Sequence, residues 1–338
     1  MNTASRRVSV CIPLFNGAAT IAELLESIRK QSYPDFHVLM VDDASTDATV
    51  EAVEPFLVDR RFQLIRRQKN VGFFENLNQL IEAAPKTDFL IFPGQDDVWL
   101  PRLIQRHIEF LDVNPSAGVV HSRCSLIDEN GAPTERNQWY WDRLSKVMTG
   151  DDLIESLLTH NFVCFPAATI RRLAFDDVKQ EFRSHKFTYV PDWWLWLLIA
   201  GRGWSFGYLA KADCCYRLHS DQLTQTLQPS FKTAEMSLVL AEFTCLLDGE
   251  KFGHQLSRRR RTMLKHVAHA RLMRRGLAMM SRSTSKKEGW QLLKTAWRND
   301  PLLAVCFPFF FCRYLAAKLR QHHECSGMPE LFHPLGHR

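Results

Sequence analysis

Two adjacent carboxylates, Asp96-Asp97, follow the apolar run Asp88 to Phe92 and its breaker Pro93-Gly94, and precede Val98-Trp99-Leu100-Pro101. Hard divalent cations such as Mg²⁺ and Mn²⁺ take one or two carboxylates together with phosphate oxygens, so this pair is a candidate metal site. A helix start, where the dipole favours acidic groups, suits the same pair. A second pair, Asp42-Asp43, closes the run Phe36 to Val41. A carboxylate there can accept a hydrogen bond from a base ring N–H or a ribose hydroxyl. Ser45, Thr46 and Asp47 have the chemistry of helix caps, and a capped turn is the simpler reading of that cluster. The turn Pro13-Leu14-Phe15-Asn16-Gly17 holds one glycine, so a dinucleotide fingerprint is absent, as is a phosphate-binding P-loop.

These groups need elements to carry them. Val8 to Pro13, Phe36 to Val41, Phe62 to Ile65 and Asp88 to Phe92 read as buried strands. Between them, Ala18 to Lys30 has apolar residues at 21, 24, 25 and 28, a helix is expected from Ala48 to Val58, and Phe73 to Ala84 has helical spacing. Alternating strands and helices predict an α/β fold, a mostly parallel, doubly wound sheet with helices on both faces. The polar clusters at 13–17, 42–47 and 94–97 each follow a strand, so they converge on one rim, where such sheets bind ligands. Further on come a helix from Leu103 to Val113, a strand from Gly118 to Ile127 and a polar stretch with Trp139, Tyr140 and Trp141, read as a loop near a ligand or a lid. A short helix Asp151 to Leu158 follows, then a helix opened by Pro191-Asp192 and two strands expected to pair, Trp204 to Leu209 and Ala212 to Leu218.

The 338 residues are long enough for one large or two modest domains, and a composition of 46% hydrophobic and 24% charged residues excludes a disordered or disulfide-stapled peptide class. Nine cysteines without CxxC spacing argue against a disulfide framework or zinc ribbon, and the first residues lack a cleavage site, so a reducing, cytoplasmic compartment is expected. The net charge of +6 is uneven: residues 251–338 hold 18 Lys and Arg against 4 Asp and Glu, while residues 1–250 hold 25 against 33. A basic tail on an acidic body suits an anionic membrane surface, nucleic acid or plain solvation.

Taken together, Val8-Ser9-Val10-Cys11-Ile12-Pro13-Leu14-Phe15-Asn16, Val41-Asp42-Asp43-Ala44-Ser45-Thr46-Asp47, Asn70-Val71-Gly72 and Gln95-Asp96-Asp97-Val98-Trp99-Leu100-Pro101 resemble family 2 glycosyltransferases of the GT-A fold, in order, spacing and strand-end position. The resemblance covers roughly residues 6 to 220 and implies a nucleotide diphosphate sugar as donor, with a UDP- or dTDP-sugar preferred. It implies that Pro13, Phe15 and Asp43 hold base and ribose, that Asn16 is among the nucleotide-sugar-binding residues, that Asn70 and Gly72 line the pocket, and that Asp96 and Asp97 meet the diphosphate and a Mn²⁺ or Mg²⁺ ion, with Asp97 as the direct ligand. Many members are acidic where this chain has Gly94. By the same resemblance Asp192 is the base that deprotonates the acceptor hydroxyl, although Pro191 replaces the first residue of the family's acidic pair and helix capping is the alternative. Tyr216-Arg217-Leu218-His219 resembles a later family segment, which makes His219 a metal ligand and Arg217 a neutraliser of the departing diphosphate. Trp193, Trp194 and Trp196 read as core, with one available to stack on an acceptor sugar.

The expected organisation is a nucleotide-sugar-binding half (1–115), an acceptor-binding half (116–228) and a basic helical region (229–338). The stretch Pro301 to Ala317 contains Pro308 and is shorter than the roughly 20 apolar residues a membrane span needs, so an interfacial or packed helix is expected there. The implied activity is inverting, metal-dependent sugar transfer to a saccharide or lipid-linked acceptor in surface polysaccharide or lipopolysaccharide synthesis. Residues 251–320 are expected to touch the inner face of the membrane, and nucleic acid is not expected as a partner. Two other readings stay open: a catalytically silent nucleotide-sugar-binding protein, and a membrane- or nucleic-acid-docking protein acting through its basic tail.

Overall fold

Continuous β-branched and aromatic runs form strands buried on both faces, and the computed structural model begins with one, β1 (Val8–Leu14). Then come α1 (Ile21–Arg29), β2 (Phe36–Asp42), α2 (Thr49–Val53), β3 (Phe62–Arg66), α3 (Phe73–Ala83), β4 (Phe89–Ile91), β5 (Val98–Trp99), α4 (Leu103–Val113) and β6 (Ala117–Ile127). The second half adds β7 (Lys146–Met148), α5 (Gly150–Thr159), β8 (Ala168–Arg171), α6 (Arg172–Asp176), α7 (Lys179–Ser184), α8 (Pro191–Gly201) and β9 (Ser205–Arg217). Three helices follow, α9 (Pro229–Leu246), α10 (Arg258–Met280) and α11 (Lys286–Asn299). The structure describes residues 7–134, 144–184, 187, 189–219, 222, 229–247, 249, 252, 257–280, 286–301 and 303. Trp139, Tyr140, Trp141 and most of the stretch 301–317 lie outside the described residues. The chain divides into two compact units, residues 1–268 and 269–338, so that α9 belongs with the sheet.

One sheet carries the first unit, in the order β3-β2-β1-β4-β8-β6-β9-β5, with β7 also on β9. The expected parallel arrangement holds across β3, β2, β1 and β4. Beyond it the sheet is mixed: β8 runs antiparallel to β4 and β6, β6 and β9 are parallel, and β5 and β7 are antiparallel to β9. Leu14 pairs with Asp42 and Asp42 with Arg66, so the segments after β1, β2 and β3 leave the sheet at one level. On the other side Val98 pairs with Cys215, which sets Asp97 beside the end of β9.

The stripe Ile21, Leu24, Leu25 and Ile28 is buried against the sheet as its spacing predicts. Two expectations are corrected. The helix over 48–58 ends at Val53 and continues as a 3₁₀ turn over Glu54–Val58, because Pro55 has no N–H to extend the α-helical ladder. The two strands expected at 204–209 and 212–218 are the single β9. Its register against β6 slips between Ser122–Leu209 and Arg123–Ala212, so the polar interruption at Lys211 is a bulge and not a turn.

Behind the sheet, buried His107 lies between two hydroxyls, Thr169 Oγ1 at 2.7 Å from Nδ1 and Ser122 Oγ at 2.6 Å from Nε2. Burial, then the charges of His121 and Arg106, lowers its pKa to about 3; burial and then Lys146 do the same for His121. Both are therefore neutral in the folded protein near pH 7.

Candidate active site

The rim is built by three loops tied to one another. The Gln95 side-chain amide grips the Phe15 backbone from both sides: Phe15 N–H donates to Oε1 (3.0 Å) and Nε2 donates to the Phe15 carbonyl (2.9 Å). Thr20 Oγ1 donates to the Gln95 carbonyl (3.1 Å), and a Cβ at Gly17 would lie 2.7 Å from the Gln95 side chain, which explains the glycine. Asn16 joins the second loop, its N–H donating to Ser45 Oγ (2.9 Å) and its Oδ1 accepting from Thr46 N–H (2.9 Å). Asn16 and Ala44 both have positive φ, 49° and 59°. For a residue with a Cβ that backbone costs roughly 1–2 kcal/mol, strain of the kind stored at functional sites. Ser45 does not cap α2, since it bonds to Asn16 and to Asp42 Oδ1 at 2.5 Å instead; Asp47 meets the first helical N–H, that of Thr49, at 3.0 Å. Pro13 ends β1, and Phe15 stands at the rim with 44% of its surface exposed.

Asp43 is 2% exposed and holds the 70–72 turn, accepting from Val71 N–H (2.9 Å) on Oδ1 and Gly72 N–H (2.8 Å) on Oδ2. Asn70 Oδ1 also accepts from Gly72 N–H (3.0 Å), whose φ of +88° favours glycine. Arg67, which sequence reasoning did not single out, places Nε 3.9 Å from Asp43 Oδ1 and donates to Asn76 Oδ1 (3.0 Å). A carboxylate has about four lone-pair sites, so these contacts leave Asp43 able to accept a further N–H or hydroxyl.

Asp96 and Asp97 lie on a turn that enters β5 and not at a helix start, so a helix dipole does not account for them. Asp97 is 1% exposed and accepts from Gly94 N–H (3.2 Å) and Arg217 N–H (3.3 Å). Burial, then the charge of Asp96, raises its pKa well above the usual carboxylate range, against those two backbone bonds. A buried carboxylate of this kind is ionised most readily beside a cation. A Cβ on Gly94 would lie 2.7 Å from both Asp96 Oδ1 and Asp97 Oδ2, so two carboxylate oxygens face a point that only glycine leaves open. Paired carboxylates suit Mg²⁺ or Mn²⁺.

His219 adjoins the pair, its Nε2 being 2.8 Å from Asp96 Oδ2. The three side chains do not form one coordination group: among the described residues no three His, Cys, Asp or Glu side chains are gathered so as to hold a metal ion. Arg217 is buried and bonded within the protein. Its guanidinium donates to the carbonyls of Asp96 (2.8 Å), Asp128 (3.2 Å) and Glu129 (3.1 Å) and to Glu23 Oε2 (2.5 Å), bracing the loop under Asp96.

Asp192 is in the first turn of α8, and its Oδ2 accepts from Asn161 Nδ2 at 2.6 Å. Glu235 of α9 steadies the chain just before it, Oε2 accepting from Tyr189 N–H (2.5 Å) and Val190 N–H (3.0 Å). Trp193, Trp194 and Trp196 are fully buried, so none is available to stack on a sugar. Packing connects this helix to the rim: Trp196 meets Phe165 (5.8 Å between ring centres), Phe165 stacks on Phe92 (5.6 Å, 2°), and Trp99 Nε1 donates to the Pro166 carbonyl (3.2 Å). Asn161, Glu235 and Arg67 were not found from sequence. Asn161 follows Thr159-His160 in a short polar run, and neither it nor Glu235 carries a local signal of its role.

The family model described as Glycosyl transferase family 2 matches residues 9–179. An uncharacterized glycosyltransferase of Haemophilus influenzae is 25% identical over 217 residues, covering 64% of this chain and 66% of its own length. The chain spans between 45% and 66% of the length of the first curated relatives it matches. Among solved structures, S. aureus TarS in complex with UDP-GlcNAc superposes with a TM-score of 0.62 at 18% identity, over 86% of this chain and 79% of that one. The mannosyltransferase PcManGT from Pyrobaculum calidifontis, in complex with GDP-Man and Mn²⁺, superposes with a TM-score of 0.52 at 17% identity, over 96% of this chain and 89% of that one. At such identities the likeness establishes the GT-A fold alone.

Proposed function

This chain belongs to glycosyl transferase family 2, and on that premise we propose that it moves a sugar from a nucleotide diphosphate donor to a hydroxyl of a saccharide or lipid-linked acceptor, with inversion. The observation that carries the reading is the joined rim: Phe15, Asp43 and the Asp96-Asp97 pair, held by mutual hydrogen bonds at one edge of the sheet, with Asp192 on a helix packed to the same rim through Phe165. Phe15 offers a face to the base, Asp43 accepts from base or ribose, and Asn70 and Gly72 shape the pocket wall. A UDP- or dTDP-sugar is the preferred donor. TarS is described with UDP-GlcNAc, which supports that class.

A divalent cation fits Asp97 and Asp96, with His219 beside Asp96; PcManGT, with GDP-Man and Mn²⁺, supports Mn²⁺ among the candidates. When bound, such an ion neutralises charge on the leaving diphosphate. Asp192 takes the acceptor hydroxyl proton on a carboxylate oxygen while the acceptor oxygen bonds to the anomeric carbon from the face opposite the diphosphate. The bond from that carbon to the diphosphate oxygen breaks, and the electron pair leaves with the nucleotide. Asn161 keeps the Asp192 carboxylate in place through its amide N–H. A role in bacterial surface polysaccharide synthesis at the inner face of the cytoplasmic membrane is part of the same proposal.

The test is nucleoside diphosphate release from a panel of nucleotide sugars with Mn²⁺ and mixed saccharide acceptors, followed by phosphorus NMR. Turnover of one donor by the wild type and none by Asp192→Asn is expected. Diphosphate binding without turnover of any donor would make the chain a nucleotide-sugar-binding protein instead.

A further inference from the structure

In the second unit, residues 269–338 carry twelve Lys and Arg against four Asp and Glu. There α11 has two unlike faces. Its inner face, Gly289, Leu293 and Ala296, is buried, and a Cβ on Gly289 would lie 2.7 Å from the Gly276 carbonyl of α10, so the two helix backbones touch. On the outer face Lys286, Lys287, Trp290, Lys294 and Arg298 are all exposed. At 3.6 residues per turn these positions fall on one continuous arc, which contains no acidic residue. Trp290 is 42% exposed, Lys294 Nζ lies 5.7 Å from its ring centre, and the Trp297 ring meets it edge-on at 5.7 Å.

We propose that this face of α11 docks on an anionic lipid bilayer, with the indole of Trp290 at headgroup level and the four basic side chains on lipid phosphates. Charge of a single sign complements a negative surface and attracts it across a Debye length. An indole with an apolar body and an N–H tip is suited to the boundary between water and hydrocarbon. Among the described residues no helix is long and apolar enough to cross a membrane, and an interfacial helix lying in the headgroup plane needs none. This gives a physical basis to the membrane placement in the proposed function, and its test is independent of transfer activity.

The experiment is co-sedimentation of the full chain with phosphatidylglycerol–phosphatidylcholine vesicles, with phosphatidylcholine vesicles alone, and with a single-stranded polynucleotide as competitor. Binding is expected to the anionic vesicles only, weakening as salt rises. Lys287→Gln, Lys294→Gln and Arg298→Gln should each weaken it about fivefold, the equivalent of ~1 kcal/mol per basic group at the surface. Trp290→Ser should weaken it at low and high salt alike, and Arg258→Gln with Arg259→Gln should change it little. Should a variant unfold, hydrogen exchange on the wild type decides: vesicles are expected to protect 286–299 selectively. Absence of binding, an equal loss in the Arg258/Arg259 variant, no protection of 286–299, or displacement by polynucleotide at matched charge would each overturn the proposal.

Discussion

The rim above β1, β2 and β4 and the segment that opens α8 hold their carboxylates in different ways. Asp43 and Asp97 are almost wholly buried and held by backbone N–H groups, of Val71 and Gly72 in one case and of Gly94 and Arg217 in the other. Asp192 is half-buried and held by a side-chain amide, while Glu235 from a distant helix fixes the backbone before it. Backbone donors cannot turn away, so the rim is preorganised for a ligand of fixed shape. A side chain held by another side chain keeps the freedom to give up its partner to a substrate hydroxyl and to accept a proton. The difference matches a division between binding a donor and activating an acceptor.

The largest effect that would sharpen this comparison is at Asp192. Asp192→Asn is expected to lower transfer by about 10²–10⁴-fold, the range for a lost general base, with nucleoside diphosphate affinity unchanged by calorimetry. Next, Asn161→Ala removes a hydrogen bond to a charged group, a contribution of about 1.5–3 kcal/mol, so turnover should fall roughly 10- to 100-fold while the KM for donor stays constant. A rise in donor KM instead would move Asn161 to the binding side. On the rim, Gly94→Ala places a Cβ 2.7 Å from both Asp96 and Asp97 oxygens. Diphosphate affinity in Mn²⁺ should then drop about tenfold, ~1.4 kcal/mol, and an unchanged affinity would show that the two oxygens do not act together.

How much of this was legible follows the same division. The rim could be read because each polar cluster directly follows an apolar run, and Gly17, Gly72 and Gly94 mark where side chains approach too closely for a Cβ, or where φ turns positive. The fold class followed from the same alternation. Asn161 and Glu235 reach Asp192 and its preceding backbone across 31 and 45 or 46 residues of chain, and no local pattern encodes such contacts. Arg217 and His219 stood in a recognisable segment, yet their partners, the carbonyls of Asp96, Asp128 and Glu129 and the Asp96 carboxylate, decide what they do. The interruption at Lys211 shows the limit in another form, since a bulge and a turn interrupt an apolar pattern alike.

The smallest expected effect lies in the core that both regions share. His107 and His121 have pKa values lowered to about 3, against 6.5 when unfolded. The unfolded chain therefore binds protons first as pH falls, so stability is fully present above about pH 6.5 and declines from there toward pH 3. Between pH 7 and pH 6 the loss for each histidine is under about 1 kcal/mol. Urea midpoints at the two pH values check it, and His107→Gln should reduce the difference; equal midpoints would mean that neither histidine is held neutral.

The most direct measurement of the central claim is calorimetric titration of uridine diphosphate with Mn²⁺ into the wild type, Asp97→Asn and Asp192→Asn. The account predicts that binding is lost in Asp97→Asn and kept in Asp192→Asn. Equal loss in both variants would contradict the division between a donor-binding rim and an acceptor-activating helix.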